Sequence, residues 1–478
     1  MIRLNAATAL VSVAALLAGC ATTGTTGSST SAGNDTPAPI RQGLDQDRRA
    51  DPFPSTYRPL GSAPTAIVGA TVFTGTGQRI DNGTVLLRDG KVERVEAGLA
   101  APAGYQVIEA KGRYVTPGII DSHSHLGVYP SPSVPALSDG NEITSPNTAQ
   151  VWSEHSLWPQ DEGFNTARAG GVTTLQILPG SANLFGGRSV TVRNVPSRTM
   201  QGMKMPGAPY GLKMACGENP SRVYGGRNQS PATGMGNVAG YRAAWINAAN
   251  YARKWDDYRA KVEKGEKAEA PTRDLQLDTL AGVLRGEITV QNHCYRADEM
   301  AVMIDISKEF GYKINAFHHA VESYKIADIL AREDICSAMW AGWWGFKMEA
   351  LDGIEENPGL VHAAGACAVI HSDDDTLTQR LNQEAAVALS AARRAGLQIS
   401  EADAIKWITA NPARMLGILD QTGTLEPGKR ADVVLWSANP FSVYARAERV
   451  FIDGATIYDR TDPRFQPQSD FQLGSEGR

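Results

Sequence analysis

Apolar and polar positions fall into three regimes along this chain. Between about residues 65 and 117, and again between 419 and 461, β-branched and aromatic residues alternate with polar ones in short runs. Examples are Ala66-Ile67-Val68-Gly69-Ala70-Thr71-Val72-Phe73 and Arg449-Val450-Phe451-Ile452. Asp89-Gly90 and Asp453-Gly454 each separate two such runs, which predicts hairpins. Neither region supplies enough strands for its own core, so the two are expected to combine into one small β-sandwich. Between 118 and 418 the pattern changes. Short continuous apolar runs (172–178, 288–295, 312–319, 335–340, 366–371) alternate with helical-period stretches (297–310, 323–332, 379–395, 402–409), and Asn411-Pro412 then interrupts the alternation. Strand–helix alternation over about 300 residues predicts an α/β fold, a parallel (β/α)8 TIM-like barrel. The charged stretch 242–273 carries Tyr251, Trp255 and Tyr258 at helical spacing. It is expected to be an inserted helical excursion turning at 264–267, or else simply a long barrel helix.

The third regime is the N-terminus. Arg3 is followed by a small, apolar run over 6–18, too short to remain as a spanning helix, and then by Leu17-Ala18-Gly19-Cys20. This ending resembles a bacterial lipobox, which implies export, a lipoprotein signal peptide over residues 1–20 that is cleaved before Cys20, and lipidation of that cysteine as the new N-terminus. A plain secretory peptide with a chance cysteine is the alternative. Ala21 resembles the sorting signal for the outer membrane, facing the periplasm. Residues 21–64 begin with a Ser/Thr/Gly-rich tract and are expected to form a flexible tether, and 462–478 a tail.

Composition narrows this picture only slightly. The chain has 478 residues, 42% hydrophobic and 20% charged, with a net charge of −5. Its charges are interspersed with no basic block, so nucleic acid is not an expected partner. Besides Cys20, the cysteines are Cys216, Cys294, Cys336 and Cys367, all in apolar runs without the spacing of a disulfide framework. They are expected to be buried free thiols, with pairing in an oxidising compartment as the alternative.

Candidate chemistry concentrates at strand ends. His123 and His125 follow Gly118-Ile119-Ile120 and, two apart on a strand, share a face. His293, His319 and Asp373 each close a later strand. In a β/α barrel those ends meet at one mouth, where active sites lie. Four imidazoles and a carboxylate converging there would suit a divalent metal, with zinc the default and iron or manganese also fitting N/O donors. Tyr295 and His371 share a face with His293 and Asp373 and are candidate substrate-binding residues, although packing would equally explain Tyr295. His318 is expected to point away from His319 and to be structural. Asn183 to Arg188, with two glycines, is expected to form a tight loop near the mouth. Trp340, Trp343 and Trp344 either wall the pocket or pack.

The motifs Val115-Thr116-Pro117-Gly118-Ile119-Ile120-Asp121-Ser122-His123-Ser124-His125, Gly171-Val172-Thr173-Thr174, His371-Ser372-Asp373-Asp374, Asn411-Pro412-Ala413-Arg414 and Gly423-Thr424-Leu425-Glu426-Pro427-Gly428-Lys429-Arg430-Ala431-Asp432 resemble the amidohydrolase superfamily, most closely its imidazolonepropionase-like branch. The resemblance covers about 66–460. It implies that His123, His125 and Asp373 hold the more buried metal, that His293 and His319 hold a second, and that Asp373 is the catalytic proton acceptor. A bridging anion is then needed: Glu218 directly, or Lys213 after carboxylation by carbon dioxide. A one-metal site using His123, His125, His293 and Asp373 is the alternative. Relatives often carry glycine where this chain has Ala320, which questions the local backbone. The activity implied is hydrolysis of a C–N bond, in an amide, cyclic amide or C-terminal peptide-like small molecule or short peptide, by metal-activated water. The same site would serve a lactonase, esterase or phosphotriesterase, and a reading from another class is a non-catalytic binding lipoprotein. Dimers are common in relatives, so a homo-oligomer is also compatible.

Overall fold

A computed structural model describes residues 40–46, 51–131 and 134–465. The signal segment, Cys20, residues 21–39 and the end of the tail lie outside the described residues. No described helix is long and apolar enough to cross a membrane. Five strands come first: β1 (Thr65–Phe73), β2 (Arg79–Arg88), β3 (Lys91–Ala97), β4 (Gln106–Glu109) and β5 (Tyr114–Pro117). Eight follow: β6 (Ile119–Ser124), β7 (Val172–Ile177), β8 (Phe185–Arg193), β9 (Gly211–Ala215), β10 (Thr289–Cys294), β11 (Ala316–His319), β12 (Cys336–Met339) and β13 (Cys367–Ile370). Three close the fold: β14 (Val433–Trp436), β15 (Ala447–Ile452) and β16 (Ala455–Asp459).

Both ends of the chain meet in one sheet, ordered β16-β15-β14-β5-β1-β2-β3 with β4 beside β1. The join is antiparallel pairing of β14 with β5, Val434 opposite Thr116. Where a small sandwich was expected, these strands hydrogen-bond as a single sheet. Ile67, Val72, Val85, Val115, Val433 and Leu435 form one apolar core on it. Both Asp-Gly hairpins form as expected. Asp89 and Gly90 have φ of 52° and 74°, and Asp453 and Gly454 have 49° and 74°. Two consecutive positive φ values are what a turn matching right-handed strand twist requires.

The middle strands form a nearly closed eight-stranded barrel in the order β6 to β13. One strand departs from the parallel barrel expected: β8 runs antiparallel to both β7 and β9. The reason is chain length, because residues 178–184 between β7 and β8 are too few for a parallel crossover of about a dozen residues. Gly186 and Gly187, expected in a loop, therefore lie within β8. The helices Ala297–Phe310 and Leu381–Arg394 pack outside, close to their expected bounds. The charged excursion is the helix Gly234–Glu263, ending at Lys264, with Trp245 and Trp255 fully buried.

Two expectations fail here for long-range reasons. The tether does not extend to residue 64. Lys204 Nζ donates to Asp51 Oδ2 and to the Phe53 carbonyl, each at 2.7 Å, and Tyr57 is buried with its hydroxyl on Asp453. Nor are the four cysteines free thiols: Cys216 pairs with Cys294 and Cys336 with Cys367. Strand register explains the second pair, since Cys336 lies directly opposite Cys367 on the neighbouring strand, with Cα atoms 4.4 Å apart. Cys216, just past the end of β9, and Cys294, at the end of the adjacent β10, are 5.2 Å apart at Cα. Their sequence separation of 78 residues makes this bridge a large constraint on the unfolded chain. In the chain-entropy account its removal costs about 4 kcal/mol. The Cys216→Ser/Cys294→Ser double variant should therefore show a lowered urea midpoint, and alkylation of unreduced protein should leave all four cysteines unlabelled.

Candidate metal centre

β6 ends at Ser124, and its inward-facing His123 together with His125 just beyond it begins the site. Residues after β13 close it: Asp373 N donates to the His123 carbonyl at 2.8 Å. Asp121 anchors that crossing, accepting from Ser372 N at 3.2 Å and Thr378 Oγ1 at 3.1 Å, and also from the Ser372 hydroxyl. Burial pushes the Asp121 carboxyl up to about 6, against these hydrogen bonds. The Asp373 Oδ1 atom lies 3.2 Å from His123 Nε2 and 3.1 Å from His125 Nε2. Donor atoms of His123, His125 and Asp373 fall within 4.8 Å of one another, as do those of His123, His319 and His371. A third group, Cys216, Cys294 and Glu299, has its sulfurs joined and offers no thiolate.

Hydrogen bonding selects which imidazole nitrogens are bare. His125 Nδ1 donates to the Leu178 carbonyl at 2.8 Å, leaving Nε2 toward Asp373. His318 Nε2 donates to Gln291 Oε1 at 2.8 Å. His318 Nδ1 must then accept from His123 Nδ1, 2.8 Å away, which leaves a lone pair on His123 Nε2. His318 thus does not point away from the site. His319 has φ 69° and Ala320 φ 39°, so strand alternation breaks at this step and neighbouring side chains both reach the cluster. The left-handed backbone at Ala320 is one that glycine would adopt without steric cost. Asp373, with φ 61°, is likewise held in the left-handed region, where functional residues often sit.

The remaining candidates divide. His293 and His319 rings pack at 4.4 Å between centroids, and His371 stacks on His123 at 4.9 Å. Burial holds His123, His293 and His319 well below the ordinary imidazole value, and His371 at about 3, so all four are neutral near pH 7. Burial raises the Asp373 carboxyl, but His319 and His125 outweigh it and hold it well below the usual range. Lys213, on β9 and buried, brings Nζ to 3.1 Å from His123 Nε2. Burial pulls its ammonium down to about 8. Glu218 is not brought to the cluster. As the first residue of the helix Glu218–Gly225 it turns to Lys347 Nζ, 3.4 Å away, because the strand ends before it and the helix redirects the side chain. Tyr295 stacks on His319 at 5.1 Å, its phenol pushed well up by burial.

Sequence reasoning missed Asn219 and Lys347. Asn219 Nδ2 lies 3.4 Å from His293 Nε2, and Lys347 Nζ lies 3.3 Å from Asn219 Oδ1 and 3.9 Å over the Tyr295 ring. Asn219 adjoins Glu218 in sequence and could have been weighed with it. Nothing local marks Lys347.

The residues fit a metal on a direct observation. His293 Nδ1, His319 Nδ1 and both His371 nitrogens are buried without a hydrogen-bond partner among the described residues. Leaving so many imidazole nitrogens unsatisfied is costly unless something ligates them. The amidohydrolase family signature matches residues 114–457. The chain belongs to the amidohydrolase family. This amidohydrolase is 33% identical to the crystal structure of an amidohydrolase from Thermotoga maritima, covering 83% of this chain and all of that one with a TM-score of 0.75. It is 31% identical over 437 residues to amidohydrolase tasK of Hapsidospora irregularis, 84% of this chain but only 44% of tasK. The chain therefore spans less than half of that relative. It is also 24% identical over 378 residues to an imidazolonepropionase of Brucella anthropi, covering 75% of this chain and 87% of that enzyme. The likeness to the imidazolonepropionase-like branch thus extends beyond the motifs.

Proposed function

We propose that this amidohydrolase is a metal-dependent hydrolase that cleaves the C–N bond of an amide, cyclic amide or C-terminal peptide-like small molecule. The convergence of His123, His125 and Asp373 donor atoms within 4.8 Å carries the reading. His123 Nε2, His125 Nε2 and Asp373 would hold one cation, with His293 and His319 offered to a second. Zinc suits this donor set. When bound, the cation supplies acidified water and polarises the scissile carbonyl. Asp373, ionised at neutral pH, takes the proton of the attacking water and returns it to the leaving nitrogen. Tyr295 stays protonated and donates to the substrate, and His371 lines the floor as a neutral ring. Metal analysis tests this, followed by chelation, zinc restoration and a screen of amides against lactones and phosphotriesters. Amide turnover that chelator removes and zinc restores is expected. Metal-free protein that stays inactive with zinc would leave only a binding role.

The position of Lys213 favours the carboxylated bridge over Glu218. With its ammonium pulled down to about 8, a usable neutral fraction exists near pH 7.5 to add carbon dioxide, releasing one proton and leaving a carbamate. Reconstitution of metal-free protein should therefore need bicarbonate, and Lys213→Ala should lose at least about 100-fold in kcat while Glu218→Gln changes it less than about threefold. A loss of that size in Glu218→Gln with Lys213→Ala near parent activity would reverse the choice.

We also propose export and lipid anchoring through Cys20. The paired cysteines support it, since disulfides persist in oxidising compartments. Incorporation of labelled palmitate, abolished by Cys20→Ser, is the measurement.

A further inference from the structure

A run of stacked rings leaves the histidine cluster and ends in the open. Tyr295 and Trp340 each stack on His319, at 5.1 Å and 4.5 Å between centroids with interplanar angles of 23° and 26°. Trp343 stacks in turn on Trp340 at 5.0 Å and 22°. Phe346 then stands across Trp343 at 6.2 Å and 81°, so that a ring face and a ring edge form a right-angled corner. Burial falls along the run: Tyr295 and Trp340 are 4% and 5% exposed, whereas Trp343 is 37% and Phe346 55% exposed. The base of the run is rigid. Trp340 Nε1 donates to the Ser372 carbonyl at 3.0 Å, one residue before Asp373. The corner is thereby held at a set distance from both the His319 ring and the reacting carboxylate.

Exposed aromatic faces cost free energy in water, and contiguous exposed apolar surface marks a binding site more often than packing. The segment carrying Trp343 and Phe346 follows the C-terminal end of β12, where barrel enzymes place their specificity loops. We infer that Trp343 and Phe346 form a subsite for a flat aromatic or large apolar substituent on the substrate, so that the preferred amides carry such a group next to the scissile bond. This rests on the metal-hydrolase reading, because the ring run reports a substituent position only relative to a substrate held at the cluster.

Two metal-chelating probes that differ in one group separate the ideas. Benzohydroxamate and acetohydroxamate are titrated calorimetrically into zinc-loaded full-length protein. Benzohydroxamate is expected to bind at least about tenfold tighter, from stacking and apolar burial. Trp343→Ala and Phe346→Ala should each shrink that ratio to about twofold with acetohydroxamate affinity unchanged. Trp344→Ala, which alters a ring 65% exposed and outside these stacked pairs, should leave the ratio intact. The altered rings are exposed, so the fold should survive, and circular dichroism checks it. A ratio unchanged by Trp343→Ala and Phe346→Ala, or near one in the parent protein, overturns the subsite while leaving the hydrolase reading in place. Failure of both hydroxamates to bind overturns both.

Discussion

Replacement of Asp373 by asparagine is expected to lower kcat for amide hydrolysis by about 10³-fold. Asparagine keeps the shape and an acceptor oxygen but cannot take a proton. The carboxyl it replaces is held well below the usual carboxylate range despite the burial that pushes it up, and so is ionised at neutral pH. Asp373 also lies 3.1–3.2 Å from the two imidazole nitrogens it would share a cation with, so the loss has two separable parts. Metal content measured on the same preparation divides them. A variant that keeps its metal and loses turnover isolates proton transfer. A variant that loses metal in step with turnover shows the carboxylate acting chiefly as a ligand. Activity within tenfold of the parent would remove Asp373 from the mechanism.

The histidine constellation was legible in the sequence because it depends on two local facts, strand periodicity and strand ends. His123 and His125 are two apart, and His293, His319 and Asp373 each terminate an apolar run. What was not legible depends on backbone conformation or on partners distant in sequence. The positive φ of His319 breaks strand alternation, so both it and His318, assigned elsewhere by that alternation, reach the cluster, and His318 sets the tautomer of His123. The displacement of Glu218 from the cluster depends on where β9 stops, because a helix beginning at Glu218 carries that carboxylate to Lys347. Strand direction is not encoded in apolar patterning at all, so the reversed β8 emerged only from the shortness of the link before it. Docking of residues 51–57 was hidden because that segment is polar and proline-rich, and its partners, Lys204 and Asp453, lie far along the chain.

The same distant pairing sets up the largest expected effect on stability. Arg193, at the end of β8, is fully buried and carries its guanidinium from the barrel into the terminal sheet. Its NH1 donates to Asp432 Oδ2 at 2.8 Å and to Thr174 Oγ1 at 2.9 Å, while NH2 meets Asp432 Oδ1. Asp432 also accepts from Thr422 Oγ1 at 2.6 Å and Asp453 N at 3.1 Å. Arg193→Met removes the cation and leaves a buried carboxylate behind. Breaking such a pair from one side costs about 3–5 kcal/mol. The double variant Arg193→Met/Asp432→Leu should cost less than the two single changes together, since it strands neither charge of that pair. The pH dependence gives an independent sign. In the parent, burial raises the Asp432 carboxyl but Arg193 outweighs it, so the folded value is depressed. That contribution is complete above about pH 4 and is lost as pH falls through the folded value. Without Arg193, burial acts unopposed by that charge and the folded value rises above the unfolded one. The deficit of Arg193→Met should then be smallest in acid and grow as pH rises toward 8. Urea midpoints at pH 5 and pH 8 for both proteins measure this directly. A deficit that does not change between them would show that the bridge between barrel and sheet acts through packing rather than charge.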